Sequence, residues 1–408
     1  MTPKHLILAG AGHAQLDLLA ALARRVPEGW AVSMITPQPA FHYSGMLPAI
    51  IAGAVAPAAA DIPVAAIARA AGFDVRIASL VALDTLTRSL TLDDGSVLGY
   101  DLLSIDVGSR PGHSDVSGVE ASAMPVKPFA AAMELVARVD ALLRDTPPSG
   151  VVPVTVVGGG AAGVEVAFAL RARIAKAGRV PRVTIVDAAT GDMQSPLAGF
   201  PHRVRRLALH ALAKRQIGFI AGHVTRVTST GADVTMHDRS IRHLPASLTA
   251  WVTGAASHPW LARSGLTCDA RGFPFATETL ALDAATTVFG GGDCVTLSDA
   301  PDTAKAGVYA VRMGPVLAHN ILARMRGNRT LESYRPQREF LALLSTSDGK
   351  ALLHWRRVAM EAGWAQQLKS WIDDRYLRRH RELAPDVPPP EITPRADAQS
   401  IPSPPGVP

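Results

Sequence analysis

The 408-residue chain predicts an α/β architecture of paired, doubly wound dinucleotide-binding units, and three observations carry that expectation. Leu6 to Ala9 leads into Gly10-Ala11-Gly12 and an Ala/Leu-rich run. Val154 to Val157 leads into Gly158-Gly159-Gly160-Ala161-Ala162-Gly163 and then Val164 to Leu170. A third apolar strand-to-turn segment, Val288-Phe289-Gly290-Gly291-Gly292-Asp293, comes late in the chain. Continuous apolar strands suit a parallel sheet covered on both faces, and the runs after the glycines have helical periodicity.

After the first glycine turn, Trp30 to Ile35 reads as the second strand of its unit. Ile62 to Ala71 reads as a helix and Asp74 to Ala78 as a short strand. Ser89 to Leu92, the turn Asp93-Asp94-Gly95-Ser96 and Val97 to Asp101 form a strand-turn-strand pattern, followed by the apolar Leu102 to Ile105. A helix is expected from about Phe129 to Leu143. Thr146-Pro147-Pro148-Ser149-Gly150 then breaks the chain before the second glycine unit, whose second strand is Val183 to Val186. A helix is also expected over Ala304 to Met325. The late Gly-Gly-Gly-Asp segment needs a place, and a return of the chain to complete the first unit supplies one. The expected divisions are 1–125 and 273–330 for a discontinuous first domain, 126–272 for the second, and 331–384 for a small C-terminal α-rich region. A Pro-rich tail over 385–408 is too poor in aromatic residues to build a core.

Composition bounds the function. With 48% apolar and 19% charged residues the chain is neither a peptide hormone, a fibrous repeat nor a disordered polymer. Two cysteines exclude a disulfide-built scaffold and favour a reducing, cytoplasmic setting. A net charge of +6 without polybasic blocks favours anionic ligands or an anionic membrane surface and speaks against nucleic acid. LILAGAGHAQLDLLAALA is interrupted by Gly12, His13, Gln15 and Asp17, so it reads as strand, turn and helix, not as a signal peptide or spanning helix. The histidines show no compact ligand set, and no metal is expected. There is no G-x-S-x-G elbow and no complete Walker A sequence.

Gly158-x-Gly160-x-x-Gly163 directly follows a strand and opens a helix. In that context the glycines allow a tight turn, close backbone approach and a helix N-terminus facing a pyrophosphate. A purely structural turn is the competing reading. Asp187, 24 residues after Gly163, can accept hydrogen bonds from a ribose diol and would repel a 2′-phosphate, which favours NADH over NADPH. Gly10-x-Gly12-x-x-Gln15 is less regular: Gln15 stands at the third glycine position and is expected to enlarge or tilt the helix-strand contact. Thr36 ends the second strand where an acidic ribose clamp is usual, and its hydroxyl offers only single hydrogen bonds.

The ordered motifs GAGHAQ, HYSGMLP, LSIDVGSRP, MPVKPF, GGGAAGVEVAFAL, FGGGDC and KAGVYAVRMGPVLAHNI resemble the flavoproteins that include type II NADH dehydrogenases and sulfide:quinone oxidoreductases. The likeness is closer to the NADH dehydrogenase-like module found alone or joined to selenide, water dikinase, and it covers Lys4 to about Leu353. The resemblance implies FAD in the first domain and NAD(P)H in the second, with hydride transfer to FAD and electrons passed to a quinone-like acceptor. On the matching motifs, Gly10, Gly12, His13, Ala14, Thr36, Gly45, Met46, Gly108, Ser109, Gly292 and Asp293 would surround FAD. Gly158, Gly160, Gly163 and Asp187 would hold the nicotinamide cofactor. Lys127 and Lys305 resemble basic positions beside the flavin. Glu165 resembles an acidic position at the nicotinamide-flavin junction, and Tyr309 lies on the acceptor side.

Two features depart from the family. Type II NADH dehydrogenases commonly carry TAQ followed by a further Gln, whereas this chain has Thr303-Ala304-Lys305 and then Tyr309 and Arg312. Cys268 and Cys294 form no Cys-x-x-Cys, so sulfide chemistry is not implied. Two other functions remain open from the sequence: an NAD-responsive flavoprotein without turnover, and a flavin-dependent hydroxylase. Trp355, Trp364, Trp371 and Tyr376, interspersed with Arg and Lys, suit a peripheral membrane surface or a subunit contact such as a homodimer.

Overall fold

The computed structural model describes residues 2–112, 116–188 and 194–383. The Pro-rich tail and His113 lie outside the described residues. Two sheets organise the molecule. The first has five parallel strands in the order Val288–Gly290, Leu102–Asp106, Lys4–Gly10, Trp30–Thr36, Asp74–Ile77. The late Val288 strand does return to this sheet, pairing with Leu103 to Ile105. The second sheet has seven strands. Ala123–Pro125, Leu248–Trp251, Val151–Val157, Val180–Asp187 and Gly218–Thr228 run parallel, and Gly231–Met236 and Ile241–Pro245 extend them antiparallel. In each sheet the connections leave to opposite sides of the glycine strand, which creates a crevice at the carboxyl ends of the strands.

The sequence pattern maps onto these elements because the strands buried on both faces are the apolar runs. Leu6, Ile7, Leu8, Val154 and Val156 are all buried, in two separate hydrophobic clusters. The helices Gln15–Arg24, Phe129–Asp145 and Ala161–Lys176 follow the expected runs. The Ser89–Leu92 and Val97–Gly99 strands pair as expected, joined on the other side by Leu80–Asp84. The last long helix of the first body begins at Gly307, not Ala304. Ala306 is extended, and Lys305 stays in the preceding loop because its ammonium bonds the Val295 carbonyl and the Thr296 hydroxyl.

The C-terminal region carries the expected helix, Gly363–Arg381, together with a three-stranded antiparallel sheet of Ala342–Ser345, Ala351–Trp355 and Val358–Ala362. Leu344 and Leu352 of this sheet enter the core of the second body. One cation clamps the junction: Arg215, 4% exposed, donates to both carboxylate oxygens of Asp348 at 2.9 and 3.0 Å and to Glu361 at 2.6 Å. Its guanidinium also lies 5.2 Å from the buried Phe168 ring centre.

Gln15 enters the first glycine turn as a hydrogen-bonding group. Its amide nitrogen donates to Gly10 O at 2.7 Å, and the Ser104 hydroxyl donates to its amide oxygen at 2.6 Å, all buried. At the equivalent Gly163 an added Cβ would lie 1.9 Å from Gly158 O. The two turns therefore solve the helix-strand contact differently, one by direct backbone packing and one by inserting an amide.

Replacing Gln15 with Met keeps the volume but strands the Gly10 carbonyl and the Ser104 hydroxyl, and the expected loss is about 1–3 kcal/mol in unfolding of the cofactor-free protein. Arg215→Ala leaves two carboxylates facing an apolar junction, with an expected loss of about 3 kcal/mol because Asp348 is partly solvated. The variant should show faster amide exchange over 342–362. The Arg215 hydrogen bond holds Glu361 below its ordinary pKa, so this contribution is present at neutral pH and fades as pH falls through the depressed value.

Candidate functional site

The first crevice opens between Lys4–Gly10 and Leu102–Asp106. Gly10 has φ +92°, and a Cβ there would lie 2.2 Å from the Asp106 carbonyl, so only glycine lets the two strand ends meet. Gly12 N donates to that same carbonyl at 3.0 Å. Ala14 and Gln15 begin the helix, and their N–H groups donate to Asp106 Oδ2 at 2.7 and 3.0 Å. Asp106 is 2% exposed, and burial raises its carboxyl to about 7 despite those two hydrogen bonds. Gly292 packs on the same carboxyl: an added Cβ there would stand 2.5 Å from Oδ1.

Around this turn the structure gathers most of the residues expected beside FAD. Asp293, in the short turn Gly292–Cys294, pairs with Lys127 at 3.1 Å. Gly108 has φ +66°, and the next residue, Ser109, has a buried hydroxyl without a hydrogen-bond partner. A cradle of glycines with an orphaned hydroxyl beside it fits a large polar ligand with a close-lying backbone-bound portion. Thr36 is buried at its strand end, its hydroxyl donating to Gln38 O at 3.0 Å. Lys305, Tyr309, Gly292 and Asp293 line one small pocket. Burial lowers the Lys305 ammonium, which sits 4.3 Å from the Phe273 ring centre.

A partly buried run of polar and aromatic contacts leads away from the glycine turn. His13 Nδ1 and the Tyr376 hydroxyl are hydrogen-bonded at 2.8 Å, and Tyr376 stacks on Tyr43 with centres 4.6 Å apart. The Tyr43 hydroxyl donates to Asp373 at 2.9 Å, and Lys369 donates to Asp373 and to Gly45 O, both at 2.9 Å. Glu165, on the second glycine helix, accepts from Ser345 N at 2.8 Å. Burial raises Glu165 to about 6, with Lys369 and the Ser345 hydrogen bond opposing it. Burial works to lower the Lys369 ammonium, but Glu165 and Asp373 outweigh it and hold it charged. His13 is held neutral by burial, which lowers it to about 4. Gly45 and the buried Met46 lie in the short Ser44–Met46 turn that meets this chain.

The sequence reading did not single out Asp106, Tyr43 or Asp373, and it placed Tyr376 and its basic neighbour Lys369 on a membrane or subunit surface, whereas Tyr376 packs inward on His13 and Tyr43 and Lys369 on Gly45 O and Asp373. Asp106 had a signal, since an ionisable residue ending a fully buried strand is expensive without a purpose. The C-terminal helix residues had none, because their spacing is ordinary for a charged surface helix.

The second crevice repeats the geometry. Gly158 has φ +115°, and a Cβ there would lie 2.3 Å from Val252 O, at the end of the neighbouring strand. Gly160 faces open space and precedes the Ala161–Lys176 helix. Asp187 ends Val180–Asp187 and stands against Gly159, where an added Cβ would be 2.9 Å from its carboxylate.

The thiols belong to neither chain of contacts. Both are free. Cys294 Sγ donates to Gly291 O at 3.1 Å and burial pushes it up to about 12, while Cys268 donates to Leu266 O at 3.4 Å. A thiol held this far from thiolate is a packing group.

The chain is similar to proteins of known kind. It is 26% identical over 292 residues to the demethylphylloquinone reductase NdbB of Synechocystis, an alignment covering 69% of each protein. Its fold superposes on the sulfide:quinone oxidoreductase of Aquifex aeolicus with a TM-score of 0.78 at 17% identity, covering 93% of this chain and 92% of the other. NDH2 of Plasmodium falciparum in complex with NADH superposes with a TM-score of 0.77 at 13% identity, covering 94% and 97%. Residues 4–315, which contain both glycine crevices, match one family throughout, and the chain belongs to the pyridine nucleotide-disulphide oxidoreductases.

Proposed function

We propose that this protein is an FAD-dependent NAD(P)H oxidoreductase, with NADH favoured and a quinone-like molecule as electron acceptor. One observation supports the reading: two glycine turns stand at the crevices of two separate sheets, and a partly buried run of contacts from His13 through Tyr376, Tyr43 and Asp373 ends at Lys369, whose charge acts on Glu165 of the second glycine helix. Gly10, Gly12, His13, Ala14, Thr36, Gly45, Met46, Gly108, Ser109, Lys127, Gly292, Asp293 and Lys305 would hold FAD. Gly158, Gly160, Gly163 and Asp187 would hold the nicotinamide cofactor. FAD, when bound, supplies the two-electron centre that accepts hydride from NAD(P)H and reduces the second substrate.

The chain's own residues contribute position and protons. Gly158 and Gly160 leave the backbone bare for a pyrophosphate, and Asp187 would accept from an unphosphorylated ribose and repel a 2′-phosphate. Quinone reduction consumes two protons, and a buried Glu165 raised to about 6 beside a charged Lys369 is suited to hold and release one near neutral pH. Lys305 and Tyr309 would meet the acceptor in place of the usual glutamines. The finer kinship, with the module associated with selenide, water dikinase, is supported by the ordered motifs HYSGMLP and LSIDVGSRP.

Among the described residues no helix is long and apolar enough to cross a membrane. Trp355, Trp364 and Trp371 are nonetheless 40%, 50% and 50% exposed, with Arg356 and Arg375 over the Trp355 and Trp371 rings. Exposed indoles paired with guanidinium groups support peripheral contact with a bilayer, the phase in which lipid quinones reside.

Purified without denaturant and reconstituted with FAD, the protein is expected to carry one flavin per chain, bleached anaerobically by NADH and re-oxidised by a soluble quinone. Absence of bound flavin after reconstitution would overturn the assignment; bleaching without quinone turnover would remove only the acceptor. Asp187→Ser should narrow the kcat/KM preference for NADH over NADPH by about fivefold, the effect of removing a roughly 1 kcal/mol repulsion of the 2′-phosphate.

A further inference from the structure

The helix N–H groups at the first glycine turn, the groups that would ordinarily serve an anion, are already engaged by an acid of the protein. Asp106 Oδ2 accepts from Ala14 N and Gln15 N. Oδ1 lies against the Gly12 and Gly292 faces, where an added Cβ would come within 2.2 and 2.5 Å. The carboxyl therefore stands between the helix start and the two glycines that shape the cofactor cradle. The helix dipole and its two N–H groups favour a carboxylate there, and burial opposes them. A pyrophosphate brought to the same turn carries about two negative charges, and two like-charged groups in one desolvated site cannot both stay ionised.

We propose that Asp106 is a positioning residue that binds the FAD pyrophosphate region as the neutral acid, so that FAD binding takes up one proton at this carboxyl. The proposal rests on the FAD reading of the first crevice. One carboxyl oxygen keeps accepting from the helix N–H groups, and the other becomes an O–H donor toward the cradle.

The surroundings leave Asp106 as the group that changes charge near neutrality. Burial, opposed by the Gln15 and Ala14 hydrogen bonds, raises it to about 7 in the cofactor-free protein. His13, on the same turn, is neutral at this pH because burial lowers it to about 4. Cys294, on the Gly292 turn, is a thiol because burial raises it to about 12, and Tyr376, from the C-terminal helix, is raised by burial and stays a phenol. Asp293 adds a negative charge that disfavours ionised Asp106, and Lys127 pairs with it at 3.1 Å. Lys305 reaches the Val295 carbonyl next to this turn. The sign follows directly: the bound form carries one more proton than the free form, so affinity is full below the free-state value and weakens as pH rises through it.

The test is FAD binding to the cofactor-free full-length protein, followed by flavin fluorescence between about pH 6 and about pH 8.5, with calorimetry in two buffers of different ionisation enthalpy. The expected Kd rises by about thirtyfold across that range, and proton uptake approaches one per FAD at about pH 8. Asp106→Asn, which keeps an acceptor for the helix and an N–H donor for the cradle, is expected to bind FAD with a Kd that does not change with pH. A wild-type Kd that is flat across the range without proton uptake overturns the proposal while leaving the FAD assignment standing, as does an Asn variant that keeps the wild-type pH dependence. Failure to bind FAD at any pH overturns both. Should the Asn variant not fold, the proton count on the wild type decides alone.

Discussion

Everything in this molecule that can hold a cofactor depends on one steric constraint, the meeting of two strand ends with no room for a Cβ between them. At Gly10 the neighbouring strand's carbonyl, from Asp106, would be 2.2 Å from an added Cβ; at Gly158 the Val252 carbonyl would be 2.3 Å away. Both contacts lie where connections diverge from the central strand, so the bare backbone that permits them also lines the crevice. The same glycines turn the chain into a helix whose first N–H groups face that crevice. Strand pairing, turn and anion-facing helix start are therefore one structural event repeated twice.

The two repeats have diverged in how they use it. The second keeps Gly163 and packs helix start on turn backbone. The first fills the corresponding space with the Gln15 amide, tied to Gly10 and Ser104, and adds the Asp106 carboxyl beneath the helix. The first crevice thus carries a buried acid at its helix start, while the second has Asp187 standing against Gly159.

A C-terminal helix joins the halves. Lys369, Asp373 and Tyr376 occupy one face of Gly363–Arg381, and through them His13 of the first turn, Tyr43 and Glu165 of the second glycine helix share one low-dielectric environment. Arg215 anchors the adjoining sheet to the second body. Charges in this network are set by burial and by neighbours acting against it: desolvation raises Glu165 although Lys369 opposes the rise, and Glu165 with Asp373 keeps Lys369 protonated against its own desolvation.

Much of this was legible in the chain alone. Apolar runs of strand length ending in glycine, followed by helical periodicity, determined both nucleotide units, because a strand buried on both faces and a turn without side chains leave a local signature. The Val288 strand was placed in the first sheet by the recurrence of that signature. Asp293 could be singled out because it lies next to its glycines in sequence, and Asp187 because it ends the strand that follows the second glycine helix. Tertiary structure decided what depends on distance along the chain: the antiparallel extension of the second sheet, the C-terminal three-stranded sheet, the looped position of Lys305, and the joining of His13 to Tyr376 across 363 residues. Hydrogen bonds and desolvation act between neighbours in space, and a residue such as Lys369 or Asp106 acquires its chemical state only once folding has chosen those neighbours.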